Sequence, residues 1–230
     1  MLTSTSMTSS PSSPLAEVRR VYLQALLAGD GRAALRLVEA ALTAGHEGEA
    51  LRRQVVQAAQ LEIGRLWQEN RISVAHEHMA TAIAQRVLVF LFERSTPAPR
   101  REQTIAIACV EGEQHELPAR MLADFLDLSG YDVAFLGANV PTSSLLAIVE
   151  ATRADLIALS VTMSFHVDAL RAAVTLLRER HPELPVLVGG HAVAWSPGLV
   201  ASLGVTHAGT TPEEVLATID RLLANKETAR

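Results

Sequence analysis

The spacing of apolar residues changes near residue 97, and no other feature of the sequence constrains the fold as strongly. Before this point apolar side chains recur every three or four positions, which is the period of an amphipathic helix. After it, short apolar runs alternate with amphipathic segments, as strands alternate with helices. The segment 97–101, Pro-Ala-Pro-Arg-Arg, separates the two patterns. The sequence therefore predicts a helical domain followed by an α/β domain.

Turns that contain glycine or asparagine divide the first half of the chain into four helices. These are predicted near 15–28, 31–44, 48–69 and 74–94. Short connections make consecutive helices antiparallel, so we expect a four-helix bundle over 15–95, followed by a linker at 96–102. The preceding segment 1–14 is rich in Ser, Thr and Pro and lacks the basic and apolar regions of a signal peptide. It is therefore expected to be a disordered tail.

The second half, 103–230, alternates predicted strands with predicted helices. The strands are expected near 104–110, 131–136, 155–160, 185–188 and 205–208, and the helices near 115–129, 142–152, 167–180, 197–203 and 212–224. This alternation predicts a five-stranded parallel sheet with helices on both faces, a Rossmann-like (flavodoxin-like) domain. Ligands of such sheets bind outside the carboxyl ends of the strands.

Composition excludes several classes of function. The net charge of −5 gives no basic surface, so direct nucleic-acid binding is not expected. No apolar run reaches membrane-spanning length. The single cysteine, Cys109, lies in the first apolar strand and rules out an intrachain disulfide or a cysteine-based zinc cluster. It is interpreted as a buried small hydrophobe in a protein of the reducing cytoplasm.

The triplet Glu113-Gln114-His115 follows the first predicted strand. A histidine at this position can act as a metal ligand. A carboxylate two residues earlier can accept the proton of the other ring nitrogen, which fixes the tautomer and raises the basicity of the ligand. Taken alone, the triplet favours a solvated surface histidine over a metal ligand.

Two further motifs fall at strand ends. Ser160-Val161-Thr162 closes the third strand, where the hydroxyls either bond a polar ligand or cap the following helix. Gly189-Gly190 closes the fourth, where missing side chains either admit a ligand close to the backbone or form a tight turn. Their convergence with His115 at one edge of the sheet predicts a ligand site there.

A third group of residues lies in the bundle. Trp67 stands near the end of the third helix, and Glu77 and His78 stand about one turn into the fourth. An antiparallel hairpin between these helices brings all three residues to the same end of the bundle. They either cover a planar cofactor or represent a core tryptophan beside two solvated polar residues.

The motifs of the second half resemble the cobalamin-binding domain of methionine synthase and of corrinoid proteins. The resemblance implies that His115 is the lower axial cobalt ligand and that Glu113 is its hydrogen-bond partner. It assigns the rest of the cofactor site to the third, fourth and fifth strand ends, namely Ser160, Val161, Thr162, Gly189, Gly190, His191, Gly209 and Thr210. One position departs from the pattern, because Pro118 stands where the family usually has a glycine three residues after the histidine.

The spacing Trp67-x9-Glu77-His78 resembles the cap motif of cobalamin-dependent photoreceptors. That resemblance implies adenosylcobalamin as cofactor, with Trp67 packed on the adenosyl group and Glu77 and His78 lining its pocket. Some family members carry a histidine directly after the tryptophan, which can ligate cobalt after illumination. Gln68 occupies that position here, so a second histidine ligand would have to be His76, His78 or another donor.

The resemblance implies a cytoplasmic cobalamin-binding light sensor. Cobalt–carbon photochemistry would change bundle packing or assembly, and the output would pass to an unidentified protein partner or through self-association. Many family members begin with a helix-turn-helix domain, whereas only the tail 1–14 precedes the bundle here, so operator binding is not expected. Without an independent nucleophile–base pair or phosphate loop in the sequence, the protein is not expected to be an enzyme.

Other readings of the sequence stay open. Some relatives hold a bilin as second chromophore, and His166, His191 and Trp195 either line such a pocket or are ordinary loop residues. Covalent bilin attachment is not expected at a buried Cys109. The main alternative is a corrinoid methyl-carrier protein of a methyltransferase system. The last is an escort that binds cobalamin, or haem through His115.

Overall fold

The computed structural model describes residues 15–228, and the predicted tail 1–14 lies outside the described residues. The chain divides into two compact units after Ser95. Each unit has its own buried apolar core, and the two are described separately below.

The first unit is the predicted four-helix bundle. Its first two helices are α1 (Ala16–Leu27) and α2 (Gly31–Thr43). The third helix of the bundle is continuous and consists of α3 (Gly48–Leu51), a π-helical segment (Arg52–Gln57) and α4 (Ala58–Gln68). The fourth is α5 (Val74–Glu93). The π-helical segment is a feature that the sequence did not predict. Each helix contributes apolar residues at helical spacing to the core, and Val38, Val55, Ile63 and Val87 among them are fully buried.

The last two helices of the bundle form a hairpin. Its turn contains Asn70 in the left-handed conformation, with φ of 55°. The Arg71 amide donates to the Leu66 carbonyl at 2.9 Å across this turn. Farther along, the Gln60 side-chain amide donates to the Ala80 carbonyl at 3.2 Å and joins α4 to α5. The end of α4 and the start of α5 therefore lie side by side, as the short connection predicts.

The second unit contains five parallel strands in the described part of the chain. They are β1 (Thr104–Cys109), β2 (Asp132–Gly137), β3 (Leu156–Ser160), β4 (Val186–Gly189) and β5 (Thr206–His207). Their order in the sheet is β2-β1-β3-β4-β5, and every neighbouring pair is parallel. This is the flavodoxin-like order, with its switch point between β1 and β3. The predicted fold class is confirmed.

Helices cover both faces of the sheet. They are α6 (Leu117–Leu128), α7 (Thr142–Thr152), α8 (Val167–Arg180), α9 (His191–Ala194), α10 (Pro197–Leu203) and α11 (Pro212–Thr228). One apolar core lies under α7, α8 and α10, and a second lies under α6 and α11. Successive residues of a strand point to opposite faces, so β1, β3 and β4 each contribute side chains to both cores. This explains why these strands are continuous apolar runs in the sequence.

In the described part of the chain, the helices lack the length and apolar content that crossing a membrane requires.

The predicted linker is bound to the α/β unit along much of its length. The Ala98 amide donates to the Leu128 carbonyl at 2.8 Å, and the Arg101 amide donates to the Gly130 carbonyl at 2.7 Å. A Cβ atom on Gly130 would lie 2.2 Å from the Pro99 carbonyl oxygen, so the close approach of the two backbones requires a glycine. The Arg101 guanidinium also donates to the Tyr131 hydroxyl at 2.8 Å.

Candidate cofactor site

The loop after β1 is held in place by the loop after β2. The Asn139 amide donates to the Glu113 carbonyl at 2.8 Å, and the Gly112 amide donates to the Asn139 side-chain oxygen at 2.7 Å. Glu116 adds a third tie, since its carboxylate accepts from the Ala138 amide at 3.1 Å. Asn139 has φ of 51°, a left-handed conformation that asparagine tolerates better than most residues. These bonds fix the backbone that carries Glu113 and His115.

Glu113 is completely buried, and its carboxylate is surrounded by N–H groups. Oε1 accepts from the His115 ring Nδ1 at 2.5 Å and from the His115 amide at 2.9 Å. Oε2 accepts from the amides of Thr162 at 2.8 Å and Met163 at 2.9 Å. Burial alone would raise the pKa of Glu113, but these hydrogen bonds outweigh it and hold the pKa well below its ordinary value. The carboxylate is therefore ionised and acts only as an acceptor.

His115 has the geometry of a metal-ligating histidine. Its Nδ1 faces an ionised carboxylate and so carries the hydrogen, which leaves the lone pair of the neutral ring on Nε2. The side chain is 42% exposed at the switch point of the sheet. In the described part of the chain, no three His, Cys, Asp or Glu side chains come together to hold a metal ion.

His166 joins the same carboxylate, which the sequence did not predict. Its Nδ1 lies 3.3 Å from Glu113 Oε2, and its side chain is only 17% exposed. His166 lies in a 3-10 turn (Ser164–His166) ahead of α8, about fifty positions along the chain from Glu113. No local spacing signals such a contact, because two loops create it.

An apolar cavity of about 160 Å³ opens beside the ends of β3 and β4, between the sheet and helices α6 and α11. Ser160, Gly189, Gly190, Gly209 and Pro118 line it together with aliphatic side chains. Ser160 contributes the only polar side chain among the described residues of the lining. Pro118 is the second residue of α6. The helix needs no backbone N–H at this position, so proline fits here in place of the family's usual glycine.

The two glycines at the end of β4 have different roles. Gly190 has φ of 103°, and a Cβ atom there would lie 2.2 Å from the Val161 carbonyl oxygen. A Cβ atom on Gly189 would make an ordinary contact, 3.6 Å from the Ala208 Cβ atom. The backbone conformation thus requires glycine at position 190, whereas glycine at 189 mainly keeps the cavity open.

The remaining predicted residues of the α/β unit are spread around this edge. Val161 is fully buried in the core, and its amide donates to the Gly189 carbonyl at 3.0 Å. Thr162 keeps its hydroxyl buried without a hydrogen-bond partner among the described residues. Thr210 is exposed, and its hydroxyl donates to Glu214 at 2.9 Å near the start of α11. His191 is exposed and packs edge-on against Trp195, with ring centroids 4.8 Å apart.

Cys109 is buried in β1, as predicted. Burial, followed by the nearby charges of Glu113 and Glu116, raises the pKa of its thiol to about 12. A thiol in this state is a poor nucleophile at neutral pH.

In the bundle, the predicted group of three lies around the turn between α4 and α5. His78 Nδ1 lies 2.6 Å from Glu77 Oε2, and Glu77 Oε1 accepts from the Thr81 hydroxyl at 2.8 Å. Glu77 is thus fixed along α5, while His78 is exposed. Trp67, half-buried, is the penultimate residue of α4 across the turn.

The fold and the site define a class of binding module: an α/β domain that offers one oriented imidazole at a sheet edge, beside an apolar cavity. Residues 103–217 match the family model described as B12 binding domain, and residues 18–91 match a second model with the same description. The chain belongs to the B12-binding domain family.

Curated relatives and solved structures agree with this assignment. The chain is 31% identical over 153 residues to the HTH-type transcriptional repressor CarA of Myxococcus xanthus, covering 63% of this chain and 50% of that protein. It is 28% identical over 133 residues to dimethylamine corrinoid protein 3 of Methanosarcina acetivorans, covering 56% of this chain and 62% of that protein. The chain therefore spans only half to three-fifths of these relatives. The monomethylamine corrinoid protein of Methanosarcina barkeri shares the fold, with a TM-score of 0.75, 18% identity, and coverage of 90% of this chain and 99% of that one.

Family membership confirms the prediction that the protein binds a corrinoid. The residues present fit such a group. His115 offers Nε2 to a metal that brings its own macrocycle, and the glycine-lined apolar cavity offers room for part of an organic tail. The buried Thr162 hydroxyl, unpartnered in the described part of the chain, can bond a polar atom of the ligand.

Proposed function

We propose that this protein is a cobalamin-binding light sensor that uses adenosylcobalamin as its chromophore. The observation that carries the proposal is the Trp67-x9-Glu77-His78 group at the hairpin of a bundle that itself matches a B12-binding family model. The hydrogen bond between His78 and Glu77 supports a shared role for these two side chains.

When bound, adenosylcobalamin supplies a cobalt–carbon bond that visible light breaks. The chain's own residues hold and orient it. His115 would ligate the cobalt from below through Nε2, while Glu113 keeps the hydrogen on Nδ1 and stops the ring from rotating. Ser160, Gly189 and Gly190 would receive the tail of the cofactor in the cavity.

Trp67, Glu77 and His78 would contact the upper ligand. A half-buried tryptophan offers a flat apolar face, and the Glu77–His78 pair offers hydrogen-bonding atoms. We propose that loss of the upper ligand alters the packing of these residues and so changes the self-association of the protein or its binding to a protein partner. In this role the cofactor is a light detector, and the protein is not an enzyme.

The proposal is tested with protein reconstituted with adenosylcobalamin in darkness. Absorption spectra and size-exclusion elution are recorded before and after green light. We expect a stable bound spectrum that shifts on illumination together with a changed elution volume. Bound cofactor without a light-dependent change in elution would contradict signalling through assembly. Methylcobalamin-loaded protein is the matched control, since it lacks the adenosyl group that Trp67 would contact.

Two variants separate the lower and upper contacts. His115→Ala should shift the spectrum to that of cobalt without a histidine ligand, and an unchanged spectrum would remove the central assignment. Trp67→Ala should keep histidine ligation but lose the light-dependent change in elution.

The proposal includes a bilin as a second chromophore. If it binds, protein from cells that make bilins should show an added long-wavelength absorption band. With a pKa of about 12, Cys109 would not attach the bilin covalently.

A corrinoid methyl carrier is the second candidate. The similarity to dimethylamine corrinoid protein 3 and the fold shared with the monomethylamine corrinoid protein favour it. A carrier should hold methylcobalamin and lose its methyl group to an acceptor in the dark when the cognate methyltransferase is present. A sensor should show no such dark transfer.

A further inference from the structure

The Glu113 carboxylate lies between two histidines. Oε1 receives the His115 ring, while Oε2 receives two backbone amides and, at 3.3 Å, Nδ1 of His166. Since the carboxylate accepts only, both imidazoles donate from Nδ1. The two rings are thus coupled through one buried anion.

His166 is held firmly in this position. A Cβ atom on Gly112 would lie 3.0 Å from two atoms of the His166 ring, so the ring packs directly on the loop that carries Glu113. On its other side, the Phe165 ring meets it edge-on, with centroids 4.3 Å apart. Only 17% of its side chain is exposed. A surface histidine with a chance contact would have more rotational freedom.

We propose that His166 is a positioning residue for the cobalt ligand. Together with the Thr162 and Met163 amides it packs against Oε2 of Glu113, so that Oε1 stays aligned with Nδ1 of His115 and Nε2 of His115 keeps its orientation. The proposal rests on the proposed function, because it assigns His166 a role in histidine ligation of cobalt.

The length of the hydrogen bond from His166 to Glu113 determines whether removing it tightens or loosens His115. At 3.3 Å it withdraws little charge from Glu113, compared with the amides at 2.8 and 2.9 Å. Losing it should therefore not strengthen the bond to His115 measurably. The Thr162 and Met163 amides still hold Oε2, but water should enter the space that the His166 ring leaves and so loosen the contact between Glu113 and His115. A group that bonds the metal-ligating histidine directly, as Glu113 does, typically changes metal affinity by about 10- to 100-fold, and His166 lies one residue farther from the metal.

The test uses two substitutions of His166 in the full chain. His166→Leu keeps apolar bulk but removes the donor. His166→Asn keeps an N–H donor, because the asparagine Nδ2 occupies nearly the position of histidine Nδ1. His181→Leu is the matched control. His181 directly follows α8, lies 3.6 Å from the Glu150 carboxylate of α7 and takes no part in the site.

The first readout is the ratio of histidine-ligated to unligated cobalt in reconstituted protein, from absorption and from nitrogen splitting in the electron paramagnetic resonance spectrum of the cobalt(II) form. We expect His166→Leu to lower this ratio several-fold, by less than the about tenfold that removal of a direct partner of the histidine costs. His166→Asn should restore most of it, and His181→Leu should leave it unchanged. An unchanged or higher ratio in His166→Leu, or an equal loss in His166→Asn, would overturn the proposal.

The second readout needs no cofactor. Nitrogen-15 correlation spectra of the cofactor-free protein report which His115 nitrogen carries the hydrogen. We expect the Nδ1–H form to dominate in the native chain, to lose population in His166→Leu and to recover in His166→Asn. Equal populations in all three proteins would overturn the proposal. If the native protein binds no corrinoid, the proposed function fails, while this spectrum still judges the role of His166.

Discussion

Glu113 shows how one residue organises the site at the smallest scale. A carboxylate without exposed surface would ordinarily become neutral, because burial disfavours its charge. Here backbone amides from the end of β3 and the His115 ring supply the stabilisation that water would otherwise give. The charge is therefore part of the folded structure, and stability should depend on it.

Replacing Glu113 with Gln should change how stability responds to acid. The folded-state pKa lies below the ordinary value of 4.5, so the native carboxylate stabilises the fold fully above that pH. This contribution is lost as pH falls further toward the folded-state pKa. Urea denaturation, followed by circular dichroism at pH about 6 and about 3.5, should show a steeper acid-dependent loss in the native protein than in Glu113→Gln. Equal losses of stability in both proteins would contradict the lowered pKa of Glu113 in the folded protein.

The two glycines at the end of β4 provide a matched pair of substitutions. Gly190→Ala should lower the free energy of unfolding by about 3 kcal/mol or more, because alanine at positive φ is strained and its Cβ atom overlaps the Val161 carbonyl. Gly189→Ala should cost less than about 1 kcal/mol, since its Cβ atom finds an ordinary contact. Chemical denaturation of both variants measures the difference, and similar losses would mean that conformation does not distinguish the two positions.

At the scale of elements, the third helix of the bundle contains a buried charge at its π-helical segment. Arg52 is 3% exposed and donates to the Ser95 hydroxyl at 2.7 Å, just beyond the end of α5. The Ser95 hydroxyl in turn donates to the Leu91 carbonyl at 2.7 Å. The Arg52 Nε atom has no hydrogen-bond partner among the residues described. The other guanidinium contact is long, since Arg52 Nη1 lies 3.5 Å from the Glu49 carboxylate, so Ser95 is the close partner of this charge.

Removing one partner of this pair should cost more than removing the charge itself. Ser95→Ala should lower the free energy of unfolding by about 1–3 kcal/mol, because it leaves a buried guanidinium poorly satisfied. Arg52→Met should change it by less than about 1 kcal/mol, since a flexible apolar side chain replaces the charge. In the Arg52→Met background, Ser95→Ala should become nearly neutral. Additive effects in this double-mutant cycle would refute the coupling.

Long helices and continuous apolar strands could be predicted from sequence, and three short helical segments could not. The central strands β1, β3 and β4 are continuous apolar runs because helices bury both faces, and long helices such as α8 show their period over several turns. The π-helical segment, the 3-10 turn before α8 and the short α9 have too few residues to show a period. The same holds for the site: Glu113 and His115 are two residues apart, whereas the contact of His166 depends on how two loops meet.

At the scale of the whole molecule, corrinoid binding should be linked to stability. A ligand that binds only the folded protein stabilises it by about 2.7 kcal/mol when its free concentration is 100 times Kd. Urea denaturation in darkness, with and without adenosylcobalamin, should show this gain in the native chain. His115→Ala should show a smaller gain at the same ligand concentration. An equal gain in both proteins would mean that affinity does not depend on His115.

The burial of Cys109 has a practical consequence for following the two units in solution. The chain has no other cysteine, and a thiol with a pKa of about 12 forms almost no thiolate at neutral pH. A cysteine introduced on the surface of either unit would therefore be the only thiol that reacts with a maleimide label. Pairs of such labels, one on each unit, would report interdomain distances in darkness and light without removal of the native residue.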